Sequence, residues 1–392
     1  MSDRSYDIVL FGATGFTGRL TAEYLARHAP TGCRWALAGR NAAKLEKVRA
    51  ELSSIDPALA QLPLLSADVT DPASLAAVAA SSRVVVSTVG PYLQHGEPLV
   101  AACAAAGTDY LDLTGEAEFV DLMYVRYAEQ AVRSGARLIH CCGFDSIPYD
   151  LGVYFTVGLL PENVPISVDG VIRAGGRPSA GTAHSAITAL SRARRAAEAA
   201  RARRRLEPPP SGRRARAVGT APRRVAGMWL LPLPTVDPQV VARSARALPR
   251  YGPDFRYSHY AGFRKLPVAV GSAAALTAII GLAQLPPSRR LLLSRFQSGT
   301  GPSPEQRAQS WFKVRFTAIG GGQRVVTEVA GGDPGYDETA KMLAESAMCV
   351  AFDELPATAG QLTPAVAMGQ PLIDRLTAAG MQFRVLEHTE QR

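Results

Sequence analysis

The sequence predicts an α/β protein, with an N-terminal doubly wound parallel sheet followed by a second α+β domain built on a mixed or antiparallel sheet. Three observations carry this prediction. From residue 6 to residue 142 short apolar runs alternate with segments of helical periodicity, the spacing of parallel strands joined by right-handed crossovers. A glycine-rich turn, Gly12-Ala13-Thr14-Gly15-Phe16-Thr17-Gly18, joins the first apolar run to the first helical one. Past Gly143 the runs change to alternating polarity, as expected where one sheet face meets water.

Residues 6–11 form the first strand and 20–28 the first helix. Strands over 34–39, 62–67, 83–89, 109–113 and 138–142 follow, separated by helices over 42–52, 74–79, 95–106 and 119–134. In the second part, 167–174, 312–318 and 324–330 read as strands with one exposed face. Between the first of these and the other two lie a helix from about residue 182, an arginine-rich insert over 192–224, an aromatic segment near 251–263 and an apolar stretch over 268–285. A last helix over 337–355 is expected to pack back on the first domain. The division is therefore 1–145, 146–335 and a C-terminal segment 336–392.

Gly12 permits the tight bend, Gly15 lets backbone approach a pyrophosphate, and Gly18 allows helix and strand to pack closely. Ala13, Thr14, Phe16 and Thr17 complete the cradle. Because this turn follows a strand, opens a helix and begins a βαβ series, it is read as the dinucleotide site of a Rossmann-type domain, with the phosphates at the helix N-terminus. The second strand ends in Ala38-Gly39-Arg40-Asn41. A carboxylate there would hold the ribose 2′-hydroxyl of NAD, whereas Arg40 offers a forked contact to a 2′-phosphate, so the expected cofactor is NADP(H). Asn41 joins it, Asp68 at the next strand end is read as an adenine contact, and Val89, Gly90 and Pro91 end the fourth strand where nicotinamide belongs.

Composition narrows the class further. A chain of 392 residues holds two cores comfortably. Five cysteines in mostly apolar surroundings read as reduced core residues rather than a disulfide or zinc framework. No histidines and carboxylates share metal-ligand spacing, and no metal is predicted. The N-terminus runs straight into the first strand without a signal-peptide pattern, which places the protein in the cytosol. Much of the net charge of +9 sits in 192–224, where the lack of interleaved aromatics argues against nucleic acid. That insert is read first as a solvated loop, and second as a segment engaging an acidic acyl carrier domain or lipid headgroups.

The glycine turn, Ala38-Gly39-Arg40, Val89-Gly90-Pro91-Tyr92, Tyr110-Leu111-Asp112-Leu113-Thr114-Gly115-Glu116 and Cys142-Gly143-Phe144-Asp145-Ser146-Ile147-Pro148 together resemble the saccharopine dehydrogenase-like oxidoreductases, in particular their trans-acting enoyl reductase branch. Gly176-Arg177-Pro178-Ser179-Ala180-Gly181-Thr182 and Gly331-Gly332-Asp333-Pro334-Gly335-Tyr336 extend the resemblance over nearly the whole chain. It implies an NADPH-dependent reductase that works apart from a polyketide synthase and reduces an enoyl double bond during assembly of long lipids such as mycobacterial phthiocerol-type waxes. Two alternatives stand beside it, a carbon-nitrogen or carbonyl oxidoreductase of the same fold and a non-catalytic, lipid-associated NADP-binding adaptor.

Enoyl reduction needs a hydride at the β-carbon, polarisation of the thioester carbonyl and a proton for the α-carbon. A Tyr-x-x-x-Lys pair is absent, and Tyr92 at a strand end is the preferred proton donor. Asp145 and Ser146 read either as cleft residues for the reaction or as caps of the helix beginning near Pro148. Thr114 and Glu116 follow the fifth strand, and Glu116 either binds the cofactor ribose or caps the helix at Phe119. Ser179 and Thr182 offer hydroxyls, and His184 reads as structural before it reads as a proton donor. The stretch 268–285 is uncharged and bounded by prolines. It is read as a buried or substrate-lining helix, a peripheral membrane contact, or a span. The expected partner is a lipid-like acyl substrate, with the oligomeric state open and a homodimer among the options.

Overall fold

The structure is a computed structural model that describes residues 4–176, 187–208, 212–219, 221–294 and 301–390. The strands are β1 (Tyr6–Phe11), β2 (Trp35–Gly39), β3 (Leu64–Ser66), β4 (Ser82–Ser87), β5 (Asp109–Asp112), β6 (Arg137–Ile139), β7 (Ile166–Gly175), β8 (Arg214–Ala217), β9 (Arg223–Val225), β10 (Met228–Pro232), β11 (Asp254–Phe263), β12 (Trp311–Gly320), β13 (Gln323–Gly331), β14 (Gly360–Leu362) and β15 (Gln382–Glu390). The first sheet has the order β14-β6-β5-β4-β1-β2-β3, and every pairing in it is parallel. Its central strands are apolar and buried because helices cover both faces. In β1, Ile8 to Leu10 have no exposed surface, as expected for a parallel sheet.

The second sheet runs β15-β13-β12-β7-β11-β10-β9, with β8 also paired to β11. It is mixed, since β11 runs parallel to β7 and β8 while the other neighbours are antiparallel. In β12 buried and exposed residues alternate, the period-two pattern that marks a sheet with one covered face. The helix Ile147–Val157 lies against β12 and β13, placing the chain just after β6 between the two sheets.

The C-terminal segment serves both sheets. The helix Asp337–Phe352 packs against the first helix, Phe16–His28, and against β1, β4 and β5, with the Tyr24 hydroxyl donating to Glu345 Oε1 at 2.8 Å. β14 then extends the first sheet beside β6, whereas β15 pairs with β13 in the second.

One stretch differs from its sequence reading and a second loses one of its alternatives. The arginine-rich insert is no solvated loop, because Ala193–Leu206 is a helix docked on the helix Ala117–Ser134. Arg203 is buried there against Asp121 at 2.9 Å, and Arg192 forms a two-pronged pair with Glu118. These two arginines are held by carboxylates 74 and 82 positions away in the chain, which composition alone does not reveal. The apolar stretch is a helix, Leu266–Gln284, but only Ala269 and Ala283 in it are buried, so it is no core helix. Among the described residues it is the one helix long and apolar enough to cross a membrane.

Candidate functional site

The glycine turn joins β1 to the helix Phe16–His28. Gly15 takes the N-cap position with extended backbone, φ −76° and ψ 164°, and no side chain caps the helix. No acidic residue stands in its first turn, so the leading N–H groups are left for an anion. Gly12 has φ +92°, a conformation glycine adopts without strain. A Cβ on Gly18 would stand 2.2 Å from the Gly12 carbonyl oxygen, so helix and turn approach as only glycine allows. Thr88, which the sequence reading passed over, ties β4 to the turn by donating its hydroxyl to the Gly12 carbonyl at 3.1 Å. An uncapped helix end and a side-chain-free approach together fit a dinucleotide pyrophosphate.

The other expected cofactor residues are placed as follows. Ala13 is buried and Thr14 and Thr17 are half-buried in the turn. The Phe16 ring meets the Tyr336 ring edge-on at 4.7 Å and the Arg307 guanidinium at 5.7 Å, so residues near the second sheet brace the turn from outside. Arg40 is exposed just past β2 and forms no hydrogen bond or ion pair among the described residues. It lies in the field of Asp68, whose carboxyl is held below the usual range mainly by the Thr70 N–H at 2.8 Å and hydroxyl at 2.7 Å. Asn41 uses its side-chain oxygen locally, accepting the Lys44 N–H at 2.9 Å as a helix cap. Val89 borders Gly12, Gly90 is exposed and Pro91 half-buried.

With Arg40 unpaired, Arg40→Asp is expected to weaken NADPH binding about 10- to 100-fold, the worth of a charge-assisted contact, and NADH binding by less than about threefold. Fluorescence titration with both nucleotides checks it, and equal losses would remove the 2′-phosphate assignment.

Three expected roles change on geometric grounds. The Tyr92 hydroxyl does not face a cleft. It is buried, donates to the Ser87 carbonyl at 2.9 Å and accepts from the Leu113 N–H at 3.5 Å, and burial holds its proton far more tightly than in a free phenol. Glu116 caps neither the helix at Phe119 nor an open ribose site. Its oxygens accept the Tyr92 and Leu93 N–H groups at 3.0 and 2.9 Å, capping the short turn Tyr92–His95. Thr114 is buried and its hydroxyl accepts the Glu116 N–H at 3.1 Å. Ser179, Thr182 and His184 lie outside the described residues.

Asp145 and Ser146 do not cap the helix Ile147–Val157 with their side chains, although Ser146 occupies its N-cap. Instead the Ser146 hydroxyl donates to Asp237 Oδ1 at 3.3 Å. Asp145 is half-buried, makes no hydrogen bond among the described residues and lies against Gly115 beyond the end of β5. Burial pushes its carboxyl up to about 6. Behind it Asp237 is pushed up to about 7, chiefly by burial and also by the charge of Asp145. His259 Nε2 stands 3.8 Å from Asp237 Oδ2 while its Nδ1 is hydrogen-bonded to the Tyr257 hydroxyl at 2.9 Å. Burial lowers this imidazole to about 4, so it is neutral near pH 7. The Phe144 ring packs edge-on against Tyr149 and Phe312, and Tyr149 against His259, which fixes this loop between the sheets. Asp237 and His259 had no local signal, because their neighbours come from distant parts of the chain.

The raised Asp237 value has a sign for stability. A folded-state value above the unfolded one contributes stability that is complete below about pH 4 and is lost as pH rises through about 7. His259, with a lowered value, acts oppositely at the acid side. Asp237→Asn removes the first effect alone. The variant is expected to gain on the wild type between pH 5 and pH 8, by up to about 2.5 kcal/mol. Melting curves at both pH values check this, and a constant difference would contradict it.

Comparison with known proteins agrees with this geometry. The family model described as the saccharopine dehydrogenase NADP binding domain matches residues 8–139, so the cofactor is NADP(H). A Mycobacterium tuberculosis protein is 40% identical over 97% of both chains. A Mycobacterium leprae protein named trans-acting enoyl reductase is 38% identical over 96% of this chain and 97% of its own. The fold resembles apo saccharopine dehydrogenase (L-Glu forming) from Saccharomyces cerevisiae, with a TM-score of 0.54, 12% identity and coverage of 97% of this chain and 99% of that one.

Proposed function

Since the chain belongs to the trans-acting enoyl reductase branch of the saccharopine dehydrogenase-like oxidoreductases, we propose that this NADPH-dependent enzyme reduces the carbon-carbon double bond of a long enoyl thioester. In this reading residues 1–145 hold the cofactor, 146–335 hold the substrate and 336–392 brace both. The acyl chain arrives on the carrier domain of a separate synthase, in keeping with the relatives' name, and the enzyme works in the cytoplasm at the inner face of the membrane.

The observation that carries the reading is the carboxyl of Asp145, without a hydrogen bond among the described residues and raised to about 6 where the loop after β6 meets the end of β5. Strand ends of a doubly wound sheet are where substrate meets cofactor. NADPH, when bound, supplies a hydride. The turn from Gly12 to Gly18 would hold its pyrophosphate, Arg40 its 2′-phosphate, and Val89, Gly90 and Pro91 its nicotinamide. Asp145 keeps a proton through mildly acidic pH and delivers it to the substrate α-carbon as the β-carbon gains its hydrogen, so the double bond becomes single and the carboxyl becomes carboxylate. The half-exposed edge of Asp145 lets water restore the proton. Ser146 and Asp237 hold the loop in place.

Turnover assays separate the alternatives. Oxidation of NADPH by long enoyl thioesters supports the reading. Oxidation only by a ketoacid with an amine points to carbon-nitrogen chemistry, and tight NADPH binding without oxidation by either substrate class points to an adaptor.

A further inference from the structure

We propose that the helix Leu266–Gln284 and the helix Pro286–Ser294 behind it form a peripheral docking element that embeds in an anionic lipid surface. This rests on the membrane-contact part of the reading above and not on its chemistry.

The first observation is exposure without polarity. Leu266, Val268, Val270, Ile280, Leu282 and Leu285 are all exposed, Leu285 by 60%. At 3.6 residues per turn, the exposed positions of Leu266–Gln284 sweep about 240° of the helix circumference. One neighbouring helix covers only about 100°, so a second copy packed on this helix would leave much of the apolar surface in water. An acyl phase covers it all. The exposed polar side chains spend donors on backbone carbonyls, as the Thr277 hydroxyl donates to the Ala273 carbonyl at 2.9 Å and the Gln284 amide to the Leu190 and Ile280 carbonyls.

Charge supplies the second observation. From residue 264 to residue 294 there is no Asp or Glu, while Arg264 and Lys265 precede the helix and Arg289 and Arg290 follow it. None of these four forms an ion pair among the described residues, and Arg264, Lys265 and Arg290 are exposed. Basic groups at both ends of an apolar segment match anionic headgroups.

Attachment decides between lying on the bilayer and crossing it. The helix leaves β11 only three residues after Phe263, which pairs with Trp229 of β10. Its far end is tied to Leu190 by Gln284, and the chain returns through β12 beside β7. Nineteen residues rise about 28 Å, so a span would carry one of these ends to the other side of the bilayer. The helix therefore lies in the plane of the surface, its apolar atoms reaching about 5–10 Å into the headgroup and acyl boundary.

Vesicle cosedimentation of the full chain tests this, using phosphatidylcholine alone or mixed with phosphatidylglycerol. The wild type is expected to bind the mixed vesicles, and Val270→Glu with Ile280→Glu, or Arg289→Glu with Arg290→Glu, to lower that binding at least about tenfold. Melting temperature and NADPH affinity of both variants should stay at wild-type values, showing that the fold is intact. Failure of the wild type to bind removes the membrane contact altogether. Equal binding by the variants leaves the membrane contact standing but overturns its assignment to these helices. A lipid-free dimer that Val270→Glu with Ile280→Glu dissociates would place a second copy on this face and overturn the proposal.

Discussion

Gly15→Asp is expected to abolish NADPH binding while leaving the fold at least as stable as before. The position tolerates a side chain, because its backbone is extended and a Cβ there would meet only the Gly12 carbonyl oxygen, at 3.5 Å. Aspartate is a favoured N-cap and satisfies first-turn N–H groups, adding a few tenths of a kcal/mol or more over glycine. Those same groups are the ones a pyrophosphate needs, and the new carboxylate repels it. The loss should exceed about 100-fold, equivalent to about 2.7 kcal/mol. Titration with NADPH alongside a melting curve reads both effects. Affinity within about threefold of wild type would mean that the phosphates bind elsewhere.

Asp145→Asn should lower kcat about 10²- to 10⁴-fold, the usual contribution of a positioned proton donor, with NADPH affinity unchanged. Only the protonated carboxyl donates, so wild-type kcat should fall as pH rises through about 6. The asparagine variant should lose that dependence. Tyr92→Phe serves as the contrast, since its hydroxyl is engaged in the core. It should reduce stability by about 1 kcal/mol and leave turnover and its pH profile unchanged. A variant at Asp145 that keeps the wild-type profile would end the assignment.

Features set by neighbours along the chain were legible in the sequence. The apolar runs of β1, β2, β4 and β5, the glycine spacing and Arg40 at the end of β2 depend on local periodicity and on a short turn. The first helix starts at Phe16 rather than 20, because the glycine turn itself supplies its N-terminus. Features set by distant partners were not legible. Glu116 looked open to a ribose until the Tyr92 and Leu93 N–H groups, more than twenty residues upstream, took both oxygens. Ser146 looked like a cap until Asp237, 91 positions away, claimed its hydroxyl. An arginine-rich helix read as a loop because its carboxylate partners, Glu118 and Asp121, lie on another helix. Apolar composition in 266–284 likewise carried no information about which faces the rest of the chain would leave bare.

The most direct measurement of the central claim is the destination of hydrogen from the cofactor. NADPH deuterated at the transferable position of the nicotinamide, incubated with the enzyme and a long enoyl thioester, should yield the saturated thioester with one deuterium at the β-carbon and solvent hydrogen at the α-carbon, resolved by mass spectrometry and NMR. Deuterium at a carbonyl-derived or imine-derived carbon, or none transferred while NADPH remains tightly bound, would contradict it.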